Sequence, residues 1–148
     1  MTTHTYTSAL HWVGRTEDYE SYSRRHDVAV AGETLTLSAA AAFRGDDALP
    51  NPEQLVVAAA SSCQLLSFLA VAAHAGVEIL EYRDEAEAVM PDDVRPVRLT
   101  EIILRPAIVA QGATEERVGR LLRKAHEQCY IANSLATPVT LEPEITVL

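Results

Sequence analysis

Two cysteines carry whatever nucleophilic or redox chemistry this chain can do: Cys63, in Ser61-Ser62-Cys63-Gln64, and Cys129, in His126-Glu127-Gln128-Cys129. The thiolate, not the thiol, is the reactive form, so the surroundings decide whether either sulfur reacts. On the residues alone three readings stay open: a structural cross-link, a dithiol redox pair, or two unrelated thiols that only fill the core. A metal site is a weaker fourth. His126 and Cys129 are three apart, as two ligands on one helical face would be, but no third ligand follows at a recognisable spacing.

Cys63 lies inside the stretch around which the rest of the chain must be organised, Asn51 to Gly76. Asn51 is a good N-cap, Pro52 suits the first helical position, Gln54 can reach back as in a capping box, and Gly76 supplies the stop. The spacing predicts a helix over about 52–75, roughly 36 Å long. From Leu55 to Ala73 it carries no charge. Such a helix is expected to be covered on nearly every side. Its length would also cross a bilayer, but alanine and serine dominate and no basic loop flanks it, so a core helix is the reading adopted.

The chain has 148 residues, 22% of them charged and 48% hydrophobic, which suits a single domain, 1–148, with a sizeable core. Twelve Lys and Arg against 21 acids, a formal charge of −9, argue against binding nucleic acid or an anionic membrane surface. The N-terminal MTTHTYTSALHWVG has no basic region followed by an apolar run, so no signal peptide is expected and a cytoplasmic location is. In a reducing compartment two cysteines point toward redox or catalytic use rather than a staple.

The remaining elements read in order. Thr5 to Val13 is expected as a strand, and His26–Ala31 and Thr34–Ser38 as a hairpin turning at Gly32. A loop from Ala39 to Pro50 delivers the chain to the helix. Strands follow over Val77–Met90 and Val97–Ala110, with Pro106 expected at an edge or bulge. Thr114 opens a second helix, about 114–129, whose Glu115 and Glu116 precede Arg123, Lys124 and His126 in the order the helix dipole favours. A short helix or turn over Ile131–Ala136 and a strand over Val139–Val147 close an α+β chain, with antiparallel sheets packed around the long helix.

The patterns N-P-E-Q-L-x-x-A-A-x-x-S-C and A-H-E-x-C-x-x-x-N-S-L, at this separation, resemble the OsmC/Ohr family, osmotically inducible protein C and the organic hydroperoxide resistance proteins. The likeness covers essentially the whole chain. It implies an OsmC-like fold, an intertwined homodimer, and a thiol-dependent peroxidase. Cys63 would become a sulfenic acid and Cys129 would resolve it to a disulfide, which a dithiol, small or protein-bound and of the lipoyl type, would reduce. No metal or organic cofactor is implied. The family pairs an arginine with a glutamate to activate the thiolate; Glu53 stands at the glutamate position, and Arg44 at the arginine position, with Arg15 in reserve. Tyr130 replaces the proline that usually follows the second cysteine, and Ala132 replaces a usual serine.

One arginine at about 4 Å contributes about 4 kcal/mol at an effective dielectric near 20, enough to ionise a thiol near neutral pH. Yet Glu53 and Cys63 are ten residues apart, about 15 Å along a helix. A shared site therefore needs a second subunit or a bend, and a two-fold homodimer with two interfacial sites is expected. An organic hydroperoxide is the expected substrate, with Leu65, Leu66 and Phe68 walling its cavity. The alternative from another class is a non-catalytic ligand-binding or stress-associated protein of the same fold.

Overall fold

Asn51 caps the central helix as its side chain predicts. In the computed structural model, which describes residues 1–148, the Gln54 N–H donates to Asn51 Oδ1 at 2.9 Å, and the Asn51 N–H donates to Gln54 Oε1 at 3.0 Å. That reciprocal pair is a capping box. Helix α1 runs Pro52–His74. It ends where Gly76 takes φ 69° and the Val77 N–H returns to the Ala72 carbonyl at 3.0 Å, a Schellman-type stop.

The chain divides into two compact units, Met1–Leu55 and Val56–Leu148. No linker separates them, because the boundary falls inside α1. In the first unit β1 (Ala9–His11), β2 (His26–Val30) and β3 (Glu33–Leu37) form an antiparallel sheet in that order. Ala31 (φ 50°) and Gly32 (φ 84°) are both left-handed, which is what a two-residue hairpin matched to strand twist requires. The expected strand over Thr5–Val13 shrinks to three residues. Ala9 already pairs with Ala29, one residue before β2 ends, so the residues ahead of it have no partner.

The loop after β3 holds a 3-10 turn over Ala41–Phe43, then Arg44 with φ 63°. A Cβ on Gly45 would lie 1.6 Å from the Ala39 carbonyl oxygen, so only glycine fits this loop.

The second unit corrects the strand expectations in one consistent way. Each of the three long strands is broken, and its two parts belong to different sheets. Val77–Met90 becomes β4 (Glu78–Asp84) and β5 (Glu87–Val89); Val97–Ala110 becomes β6 (Glu101–Leu104) and β7 (Pro106–Gln111); Val139–Val147 becomes β8 (Val139–Leu141) and β9 (Glu144–Val147). The sheets are ordered β4-β7-β9 and β5-β6-β8. Both are mixed rather than purely antiparallel, since β7 runs parallel to β9 and β6 parallel to β8.

Pro106 is therefore not at an edge. It opens the central strand β7, a position where a missing N–H interrupts no ladder interior. Arg105 sits at the break: its N–H donates to Asp84 Oδ1 at 2.7 Å, and its guanidinium meets Glu87 at 2.6 Å and Glu142 at 3.5 Å.

Thr114 Oγ1 accepts from the Arg117 N–H at 3.2 Å and opens α2, Glu115–Glu127. The short α3 spans Tyr130–Ser134. Two clusters form the core. Phe68 and Ala72 of α1 join Ile108 and Ala110 of β7 and Val118, Leu122 and Ala125 of α2, while Ala60 of α1 meets Ile102 and Leu104 of β6. One stripe of α1, Ala60, Gln64, Phe68 and Ala72, is buried, at the i, i+4 spacing of a single helical face. The expectation of cover on nearly every side is not met within one chain, because the sheets reach only that face. Leu66 remains 64% and Leu69 39% exposed.

Candidate active site

Helices α1 and α2 are positioned so that the two cysteines meet. Gln64, the residue after Cys63, is fully buried; its Nε2 donates to the Leu122 carbonyl at 3.4 Å and its Oε1 lies 3.1 Å from His126 Nδ1. A buried amide left unpaired would cost about 1–3 kcal/mol, so these bonds fix the register between the helices. The sequence offered His126 as half of a weak metal pair. The structure gives it to Gln64 instead.

Cys63 is half-buried and Cys129 almost wholly so, at 1% exposure, and both thiols are free. Burial pushes the Cys63 thiol up, but donors outweigh it and the net displacement is downward: the Ile131 N–H, the Cys129 thiol, the Tyr130 N–H and the Ser67 hydroxyl all bond its sulfur. Cys129 moves the other way. Burial raises it first, the Ala132 N–H opposes, and the neighbouring Cys63 sulfur raises it further. The pair is therefore asymmetric: ionisation is easier at Cys63 than at Cys129. A thiolate held near a retained thiol is the arrangement a nucleophile and its resolving partner need.

The donors come from local structure. Cys129 is the N-cap of α3, and the first N–H groups of a helix have no partner within it. The Tyr130 N–H serves Cys63, and the Ile131 N–H is shared between Cys63 and Cys129. Ser67 lies one turn further along α1 on the same face. A proline at 130 could not donate, so the departure to Tyr130 adds a bond to the thiolate. Tyr130→Pro tests this cleanly, since proline suits the first helical position and Cys129 already has the extended backbone a pre-proline residue prefers. We expect the midpoint of Cys63 alkylation to move to higher pH and its rate at neutral pH to fall by up to about tenfold, read against iodoacetamide from pH 5 to 9.

Cys63 opens onto a cavity of about 330 Å³ walled by Leu66, Ala70 and Val71, with Ser67, His74, Gln128 and Tyr130 completing its lining. Of the three expected wall residues only Leu66 is present. Phe68 points the opposite way, into the core, and Leu65 does not line the space.

Each candidate arginine has a local partner within its own unit. Arg44 pairs with Glu20, and Arg15 with Glu17 at 2.9 Å; both are exposed. Glu53 lines an apolar recess of about 560 Å³ in the first unit, beside Trp12, Tyr22, Phe43 and Pro52. The arginine that shares this recess is Arg24, which the sequence did not single out. It donates to the Tyr22 and Tyr19 carbonyls at 2.5 Å and lies 3.5 Å over the Tyr22 ring. Of the residues missed, Ser67 was legible from its four-residue spacing to Cys63, whereas Arg24 and the N–H donors of α3 depend on tertiary packing.

Residues 45–144 match the family model of the OsmC-like proteins. The chain belongs to the OsmC-like family. An OsmC-like protein of unknown function from Vibrio cholerae superposes with a TM-score of 0.85 at 28% identity, over 95% of this chain and 99% of that one. A relative in Bacillus subtilis (strain 168), the uncharacterized protein YmaD, is 26% identical over 101 residues, 66% of this chain and 67% of its own length. The same fold occurs in an organic hydroperoxide resistance protein from Elizabethkingia anophelis, with a TM-score of 0.70 at 20% identity over 99% and 100% of the two chains.

Proposed function

We propose that this OsmC-like chain is a thiol-dependent peroxidase that reduces organic hydroperoxides. The observation that carries the reading is the asymmetric pair: a Cys63 that opens onto an apolar cavity and whose pKa is lowered, beside a buried Cys129 whose pKa is raised. In the first step the Cys63 thiolate attacks the terminal peroxide oxygen, the O–O bond breaks, and the alkoxide leaves and takes up a proton as the alcohol. Cys63 is then a sulfenic acid. Cys129 next attacks the Cys63 sulfur and expels hydroxide, which leaves as water with the Cys129 proton. An external dithiol reduces the disulfide, a lipoyl-type group being one such reductant, and no metal or organic cofactor takes part. The apolar wall of Leu66, Ala70 and Val71 favours a carbon-bearing peroxide. Structures of this fold that are named organic hydroperoxide resistance proteins give the reading further support.

The active assembly is a two-fold homodimer in the cytoplasm. Support comes from the uncovered apolar face of α1, with Leu66 and Leu69, and from the open aromatic recess beside Glu53. In this assembly Arg44 and Glu53 of one protomer complete the site of its partner, where a guanidinium adds to the hydrogen bonds that Cys63 already receives. Titration with cumene hydroperoxide tests the chemistry: one equivalent is expected to consume two free thiols per chain, and a chain that consumes no peroxide with any dithiol present overturns it in favour of a non-catalytic binder. Light scattering at micromolar concentration tests the assembly, which a monomer would refute.

A further inference from the structure

The cavity beside Cys63 has a floor and a far wall of different origin. The floor is one side of α1: Leu66, Ser67, Ala70, Val71 and His74 follow Cys63 at the three- and four-residue spacing of a single helical face. The far wall is the junction of α2 and α3, where Gln128 and Tyr130 stand. Ser67 and Ala70 lie about 6 and 10 Å beyond Cys63 along the helix axis, and both are small, so the floor is lowest there.

Tyr130 supplies the one aromatic ring that borders this space. It is 80% exposed, whereas its neighbour Ile131 packs with Leu135 against the core. The ring therefore buries little in the fold, and its apolar area is available to whatever enters the cavity. Two main-chain contacts hold it in place. The Tyr130 N–H reaches the Cys63 sulfur, and the Tyr130 carbonyl accepts from Ser134 Oγ at 2.6 Å. The side chain thus starts next to the reacting atom, on the first residue of a helix whose inner face is anchored. A flat ring bordering an aliphatic floor makes a slot, and a slot suits a planar group.

Resting on the peroxidase reading above, we propose that Tyr130 determines the substrate class: its ring packs on the organic group of the hydroperoxide, and the chain prefers peroxides with an aryl group on the carbon that bears the O–O bond. With the terminal oxygen at the Cys63 sulfur, that carbon is two bonds further out. Its substituent enters the space over Ser67 and Ala70, alongside the Tyr130 ring. An aryl group there gains the burial that any apolar group gains, and in addition the offset or edge contact of two aromatic rings. A small alkyl group gains only the first part. Hydrogen peroxide gains neither. The ring acts on the organic substituent alone, while the N–H of the same residue serves the sulfur.

Tyr130→Ala separates these two contributions, because it deletes the ring and keeps the N–H that Tyr130→Pro removes. Cumene and tert-butyl hydroperoxides are matched probes, differing by phenyl in place of methyl on the same tertiary carbon, and hydrogen peroxide is the probe with no organic group. The rate constant for oxidation of Cys63 is measured with each, under excess peroxide, for wild type, Tyr130→Ala and Tyr130→Phe. Tyr130→Ala is expected to lower the cumene hydroperoxide rate about tenfold and the other two by no more than about threefold, while Tyr130→Phe, which keeps the ring, stays close to wild type on all three. An unchanged cumene hydroperoxide rate in Tyr130→Ala overturns the inference and leaves the redox reading intact. An equal fall for all three peroxides also overturns it, since the ring would then act on the thiolate. So does a Tyr130→Phe chain as slow as Tyr130→Ala, which would give the role to the hydroxyl. If wild type oxidises with none of the three, the redox reading fails and this inference fails with it.

Discussion

Cys129→Ser is expected to reduce one equivalent of cumene hydroperoxide about as fast as wild type and then stop. Its Cys63 sulfenic acid has no resolving thiol, so it persists, is trapped by dimedone, and under excess peroxide proceeds to sulfinic acid, which dithiols do not restore. Cys63→Ser is expected to lose the reaction altogether, by at least about a thousandfold, because a serine hydroxyl with no adjacent base is a poor nucleophile near neutral pH. The two variants separate the roles that asymmetry assigns. Burial and the nearby Cys63 sulfur favour the thiol at Cys129, while the N–H groups of Ile131 and Tyr130 favour the thiolate at Cys63. Mass spectrometry of the two variants after peroxide reads the outcome directly. A sulfenic acid on Cys129 in the Cys63→Ser chain would reverse the assignment.

Phe68→Ala is expected to be the most damaging of the apolar substitutions. The ring is completely buried between α1, β7 and α2 and packs on Tyr82. Truncating a phenylalanine at such a site costs about 3–5 kcal/mol, part of it transfer free energy and part the cavity left behind. For a chain of this size that corresponds to a fall of about 10 °C in melting temperature. Had Phe68 walled the substrate cavity, as its place near Cys63 in the sequence suggested, the substitution would have altered hydroperoxide affinity instead. Urea unfolding with an unchanged m-value, together with an unchanged first-step rate per folded chain, distinguishes the two.

What the sequence made legible was local. Asn51 with Gln54, Gly76, Thr114 and the turn at Gly32 are short-range devices whose geometry is dictated by neighbours in the chain, and each is found where its chemistry placed it. The two cysteines were legible because nucleophiles are few. The rest depended on which surfaces meet. Periodicity shows that α1 is apolar all round, but not that the sheets of one chain cover a single stripe of it. Nothing at Arg105 or Pro106 in the sequence says that a strand changes sheets there; that follows from pairing with β4, β5, β8 and β9. Likewise the donors to Cys63 are main-chain groups, which side-chain motifs do not reveal.

The broken strands bear on the resolving sulfur. Cys129 is the hinge pin between two separately anchored pieces: α2 is held through Leu122 and Ala125 to the half-sheet of β7, whereas Ile131 and Leu135, just beyond, are held to the half-sheet of β6. Each flank is immobilised by its own core. The joint between them is two residues, Gln128 and Cys129, so closing the disulfide asks least of either anchored side there.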